Sequence, residues 1–261
     1  MNLPIGHGMG LEIGALFKPI VSPMTNGIHY ADHLSTDELC QKYSSDPAVD
    51  PTALVPVTYV CKNQSLLQAV GSKKFDYIIA SHVIEHIPDP IGWMLDIAEM
   101  LNDGGKLVVA IPDKRYTFDC KRELTSLADL VEVYIEGRVR PSFRQVLDYL
   151  NCVADVPASV SPSDLWSGES NASDVPLRHP EIIKDFSETW FRNHYDAIKN
   201  GAYIDVYCSV FTPESFKRIF FEDLSRVGLF PYKVVSFHET EDRDMEFFLT
   251  LEPVVRLKAP C

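Results

Sequence analysis

Short apolar runs alternate with amphipathic stretches through the first half of the chain. Met9–Ile13, Ile28–Ala31, Val55–Val60, Phe75–Ala80 and Lys106–Ile111 read as five strands. After Lys106 the last of these is apolar throughout, the pattern of a strand covered on both faces. Between them, Ser35-Thr36-Asp37-Glu38 has the Ser-x-x-Glu spacing of a capping box and predicts a helix through Tyr43. Ser65–Val70 predicts a short helix stopped by Gly71. The clearest helix opens at Asp89-Pro90, because a proline at the first helical position gives up an N–H that has no intrahelical partner. Ile91, Met94, Leu95, Ala98 and Leu101 form its apolar stripe, and Asp103-Gly104-Gly105 ends it.

The rhythm stops after the fifth strand. Residues 114–205 are mostly helical in pattern, with a Pro/Ser-rich segment, Val156–Ser173, that reads as an exposed loop. Regularity returns at Thr212-Pro213-Glu214, a second cap-plus-proline start, in a helix that ends near Gly228. Val234–His238 and Met245–Leu251 then flank the charged turn Glu239–Asp244 as a hairpin. Strand–helix alternation closed by a hairpin predicts an α/β fold with a mostly parallel sheet and an antiparallel edge.

Composition narrows the function. A net charge of -13 lacks the electrostatic footprint of a nucleic-acid binder, so no nucleic-acid partner is expected. The six cysteines form no Cys-x-x-Cys pair, which disfavours a zinc site or a disulfide framework and fits a reducing cytoplasm. No apolar run approaches the roughly 20 residues of a membrane helix, and Met1–Gly10 shows no signal-peptide pattern. Asn171-Ala172-Ser173 is a glycosylation sequon of little weight in that setting. The expectation is a cytoplasmic protein without a membrane partner. A homodimer is left open.

The candidate chemistry lies at the ends of the strands. Gly10–Leu16 is a strand ending in Glu12 and Gly14, and Asp32 ends the next strand twenty residues later. Ser81-His82 follows the fourth strand, and Glu85-His86-Ile87-Pro88-Asp89 follows it in turn. These stretches resemble the class I S-adenosylmethionine-dependent methyltransferases, specifically a type 11-like subgroup that acts on small molecules. The resemblance covers residues 9–116 and 210–252. It implies a Rossmann-like, seven-stranded, mostly parallel sheet whose last strand is inserted antiparallel. It implies S-adenosyl-L-methionine as cofactor, held by Glu12, Gly14, Ala15, Asp32, Asn63, Gln64, Ser65, Ser81 and His82. Asp32 would hold the ribose hydroxyls, and Asn63-Gln64-Ser65 would line the adenine side. Asn63 or Ser65 read equally well as helix caps. Leu16 and Lys18 stand where the family's further glycines fall, a departure at the methionine pocket. A nicotinamide dinucleotide would need Gly-x-Gly-x-x-Gly, which Leu16 and Pro19 interrupt.

For the acceptor, residues 117–205 are expected to form a mainly helical lid over a core made of residues 1–116 and 206–261. Asp113, Lys114 and Arg115 open that lid, and Arg178-His179 lie further along. They are candidates for holding the substrate, the cations for an anionic group in particular. His86, His194 and Tyr116 are the catalytic candidates, with His86 also readable as a positioning or structural residue. No metal cluster is evident. The expected function is methyl transfer to a small polar acceptor. Relatives with Glu-Ile-Gly and Pro-Asp-Lys-Arg-Tyr stretches imply a hydroxyl of a sugar- or glycan-related metabolite. The rivals are a non-catalytic cofactor-binding module and a nicotinamide-dependent sugar-modifying oxidoreductase.

Overall fold

The computed structural model describes residues 5–47, 49–62, 64–156 and 175–254. Asn63, the Asn171 sequon and nearly all of the Val156–Ser173 segment lie outside the described residues. The seven strands are β1 (Gly10–Ile13), β2 (Ile28–Asp32), β3 (Tyr59–Val60), β4 (Phe75–Ser81), β5 (Leu101–Pro112), β6 (Tyr232–His238) and β7 (Glu246–Pro253). They form one sheet in the order β3-β2-β1-β4-β5-β7-β6. Neighbours from β3 to β5 pair in parallel, and β7 runs antiparallel between β5 and β6. This is the Rossmann-like arrangement expected, including the inserted last strand.

Local chemistry sets the helix starts. The helix α1 (Thr36–Lys42) begins at Ser35 with the full capping box. So does α2 (Leu66–Val70) at Ser65. At α3 (Pro90–Met100) the Asp89 side chain accepts from the Gly92 amide at 2.9 Å. β3 and β5 differ most in length from the sequence reading. β3 is reduced to Tyr59–Val60, since Pro56 has no N–H to give a ladder. β5 starts at Leu101 rather than Lys106, and its Phe75–Leu101 pairing is separated from the rest by a register irregularity.

The described part of the middle segment is helical: α4 (Leu127–Ile135), α5 (Phe143–Cys152), α6 (Pro180–Lys184) and α7 (Glu188–Lys199). α4 packs on α3, and its Leu130 belongs to the main core with Ile78, Met94 and Phe220. α5 and α7 build a second, smaller core from Val146, Ile198, Val206 and Cys208. The chain then enters α8 (Pro213–Phe216), which continues as π-helix through Leu224.

Candidate functional site

A cavity of about 500 Å³ opens at the carboxyl ends of the parallel strands, the edge of an open α/β sheet where ligands bind. Gly14, Asp32, Gln64, Ser65, His82 and His86 all line it. Six residues that the sequence places in one pocket are therefore together in space. Each sits at or after the carboxyl end of a strand, β1 to β4, because parallel strands all present the same end.

At the β1 turn, Gly14 has φ +70, and a Cβ there would meet Val83 Cγ2 at 2.9 Å. Leu16 keeps a left-handed backbone (φ 48) where the family places a second glycine. A left-handed backbone at a residue with a side chain costs roughly 1–2 kcal/mol. Glu12 is buried behind this loop. Its Oε1 accepts from the Ile20 amide at 2.7 Å and its Oε2 from the Val21 amide at 2.9 Å. Burial raises its pKa more than these bonds lower it. Glu12, Ala15 and Ser81 face a separate pocket of about 190 Å³ beside Gly14.

Asp32 is 8% exposed at the tip of β2. Its Oδ1 accepts from the His33 amide at 2.7 Å and lies 2.6 Å from His33 Nδ1. Its Oδ2 has no hydrogen bond among the described residues and is free to take a ligand hydroxyl. Ser65 caps α2 and also lines the cavity. Gln64 donates through Nε2 to the Val60 carbonyl at 3.0 Å.

After β4 the backbone turns left-handed at His82 (φ 53), an uncommon state for a residue with a side chain. His82 Nε2 pairs closely with Glu246, and its Nδ1 lies 3.7 Å from Glu85 Oε1. Burial alone would lower the His82 pKa; Glu246 and Glu85 raise it above the ordinary value. Glu85 is 2% exposed, and neither carboxyl oxygen has a hydrogen bond. Burial pushes its pKa up to about 7. His86 stands edge-on to Tyr207, and its Nδ1 lies 3.2 Å from Asp205 Oδ1. Burial opposes its charge, but Asp205 and Glu85 raise its pKa overall.

The other candidates lie elsewhere. Asp113 is fully buried and grips Arg115 through Nε and NH2, while Lys114 Nζ donates to the Arg122 carbonyl. Neither cation lines the cavity, because the neighbouring carboxylate and carbonyl claim them first. Tyr116 lies beneath the Arg115 guanidinium at 5.2 Å and is also outside the cavity. Arg178 covers the Phe118 ring at 4.7 Å, and His179 lies 3.7 Å from Glu181. His194 stacks on Trp190 at 3.7 Å and its Nδ1 bonds the Trp190 carbonyl at 2.9 Å, a packing role on α7. Among the described residues no group of three or more His, Cys, Asp or Glu side chains is arranged to hold a metal ion, and no helix is long and apolar enough to cross a membrane.

Sequence reasoning missed His33, Tyr203 and Asp205 in the cavity wall, and Lys42 beside them. Lys42 Nζ is 2.6 Å from Asp205 Oδ2 and 3.1 Å from His33 Nε2. No local signal marks this set, since Lys42 and Asp205 are separated by 163 residues.

The cavity suits a nucleoside in chemistry as well as volume: an acidic group with one unengaged oxygen, a glycine whose missing side chain leaves room, and amide and hydroxyl groups on the third side. The model of a family described as "Methyltransferase domain" matches residues 25–223. A stretch of 54 residues is 39% identical to the ubiquinone biosynthesis O-methyltransferase of Parvibaculum lavamentivorans, covering 21% of each chain. The chain thus spans about a fifth of that curated relative. Among solved structures, an S-adenosylmethionine-dependent methyltransferase from Clostridium acetobutylicum is 9% identical over 94% of this chain and 83% of its own, with a TM-score of 0.43. The CcbJ methyltransferase from Streptomyces caelestis is 20% identical over 42% and 48%, with a TM-score of 0.29. With the family model covering more than half of its length, the chain belongs to the class I S-adenosylmethionine-dependent methyltransferases.

Proposed function

We propose that the protein transfers a methyl group from S-adenosylmethionine to a hydroxyl oxygen of a small acceptor. The observation that carries this reading is that Asp32 and His86 line one cavity at the tips of parallel strands. Asp32 would accept from the ribose hydroxyls through Oδ2, Gln64 and Ser65 would face the adenine, and Gly14 would leave space for the methionine portion. Glu12 acts one step back, holding the Gly14 loop in shape through the Ile20 and Val21 amides. When bound, the cofactor supplies an electrophilic methyl carbon on a sulfonium.

The protein's own work is alignment and proton removal. His86 takes the hydroxyl proton as the acceptor oxygen gains the methyl group. The described residues of the 117–205 segment serve as the lid, since its Val139, Tyr203 and Asp205 reach the cavity wall. An oxygen acceptor also accords with the name of the ubiquinone-pathway relative. A sugar- or glycan-related metabolite is the acceptor that the sequence resemblance favours. The non-catalytic rival draws support from Leu16 at the glycine position.

Calorimetry with S-adenosylhomocysteine tests the core of the reading. Saturable one-to-one binding is expected. No binding removes the methyltransferase reading, and binding without conversion of S-adenosylmethionine to S-adenosylhomocysteine across acceptor panels favours the non-catalytic module.

A further inference from the structure

The side chains Asp32, His33, Lys42, Asp205 and His86 form one unbroken line of contacts across the cavity wall, at 2.6, 3.1, 2.6 and 3.2 Å in turn. The donors and acceptors along it assign themselves. A lysine ammonium has donors alone and an ionised carboxylate acceptors alone. Lys42 therefore donates both to Asp205 Oδ2 and to His33 Nε2. His33, accepting at Nε2, carries its proton on Nδ1, which lies 2.6 Å from Asp32 Oδ1 as an ion-pair contact. At the other end His86 Nδ1 faces Asp205 Oδ1, so its proton sits there and Nε2 is the basic atom. Asp205 thus accepts from both Lys42 and His86, and Lys42 also donates to His33.

We propose that Asp205 and Lys42 are positioning residues for methyl transfer: Asp205 fixes the His86 ring with Nε2 as the proton acceptor, and Lys42 holds Asp205 in place. This rests on the reading of His86 as the base. The pair also joins two parts of the chain. Lys42 ends α1 in the nucleotide-binding half, and Asp205 ends the segment that carries the lid. Tyr203, two residues before Asp205, stacks on His33 at 6.1 Å and adds a second tie on the same wall.

Electrostatics agree with the geometry. Although burial opposes ionisation of Asp205, the hydrogen bonds from His86 and Lys42 hold its carboxyl well below the usual range. Around His86, Asp205 and Glu85 favour the imidazolium, and Lys42 opposes it. Tyr207 and Cys208 complete its surroundings, the first through its ring and the second through a thiol bond to the His86 carbonyl. Lys42 and Asp205 thus pull the same imidazole in opposite directions.

Histidine ring nitrogens read by ¹⁵N NMR across a pH titration of the intact protein test this directly. Wild type is expected to show neutral His86 with its proton on Nδ1. Asp205→Asn should lower the His86 pKa and mix the two tautomers. Lys42→Met should raise it, and Lys42→Arg should return it towards wild type. With an acceptor in hand, Asp205→Asn should lower kcat by about 10- to 100-fold while the KM for S-adenosylmethionine changes little, a part of what a positioned base contributes. Shifts of the same sign in both variants, or none, overturn the proposal. If neither variant folds, a wild-type His86 with its proton on Nε2 overturns it alone. S-adenosylhomocysteine calorimetry on the same samples separates the two levels: its failure removes the methyltransferase reading, whatever the tautomer.

Discussion

The Arg122 guanidinium and the Asp119 carboxylate meet at 2.9 Å where the chain leaves the sheet for its middle segment. Arg122 is 1% exposed and also holds Asp148 at 2.7 Å and the Tyr207 carbonyl at 2.8 Å. One side chain thus ties the turn after β5 to α5 and to the irregular segment that returns the chain to α8. A buried ion left without its partner is strongly destabilising. Arg122→Met is expected to cost about 3–5 kcal/mol, read as a lowered urea midpoint.

The Arg122 cluster also shows where the sequence stops being legible. Helix starts were readable because each follows from a local rule: Ser35 and Ser65 close capping boxes, and Asp89-Pro90 opens α3; the sheet arrangement came from the family resemblance. The strand-end positions Gly14, Asp32 and His82 were readable for the same reason, since parallel strands deliver them to one edge. Charge pairing was not. Lys114 and Arg115 looked free for a substrate, but Asp113 and the Arg122 carbonyl occupy them. Asp205 reaches His86 across 119 residues, and no periodicity encodes that contact.

Gly14 offers a test of the cavity floor. Its φ of +70 is a state that a side chain makes costly, and the added Cβ would press on Val83 Cγ2 at 2.9 Å. Gly14→Ala should lose about 1–2 kcal/mol of stability from the backbone alone. S-adenosylhomocysteine affinity should fall as well, because Val83 must move into the cavity it lines. Chemical denaturation and calorimetry measure the two effects separately. Unchanged affinity would place the ligand away from the β1 turn.

Asp32→Asn keeps the size of the side chain and removes its charge. The loss of charge-assisted hydrogen bonds to ribose is expected to weaken S-adenosylhomocysteine binding by about 1–3 kcal/mol. The His33 amide can still donate to the asparagine oxygen, so the turn after β2 should persist. A titration calorimeter reads the change, and equal affinities would move the ribose away from β2.

Glu85 sets a pH dependence whose sign is fixed by its surroundings. The folded-state pKa, about 7, lies above the ordinary value of 4.5, because burial penalises the carboxylate. The folded protein therefore binds this proton more tightly than the unfolded chain does. Its contribution to stability is complete below pH 4.5 and is lost as pH rises through about 7. His82 and His86 flank Glu85, and Asp119 adds a further negative charge. The two histidines, also raised in the fold, lose their contributions in the same direction as pH rises past 6.5. Glu85→Gln removes the buried charge and lowers both histidine pKa values with it. Urea midpoints measured between pH 4.5 and pH 8 should fall with rising pH in the wild type and fall less in Glu85→Gln. Parallel curves for the two proteins would mean that Glu85 stays ionised throughout, its charge answered by the imidazoles on either side.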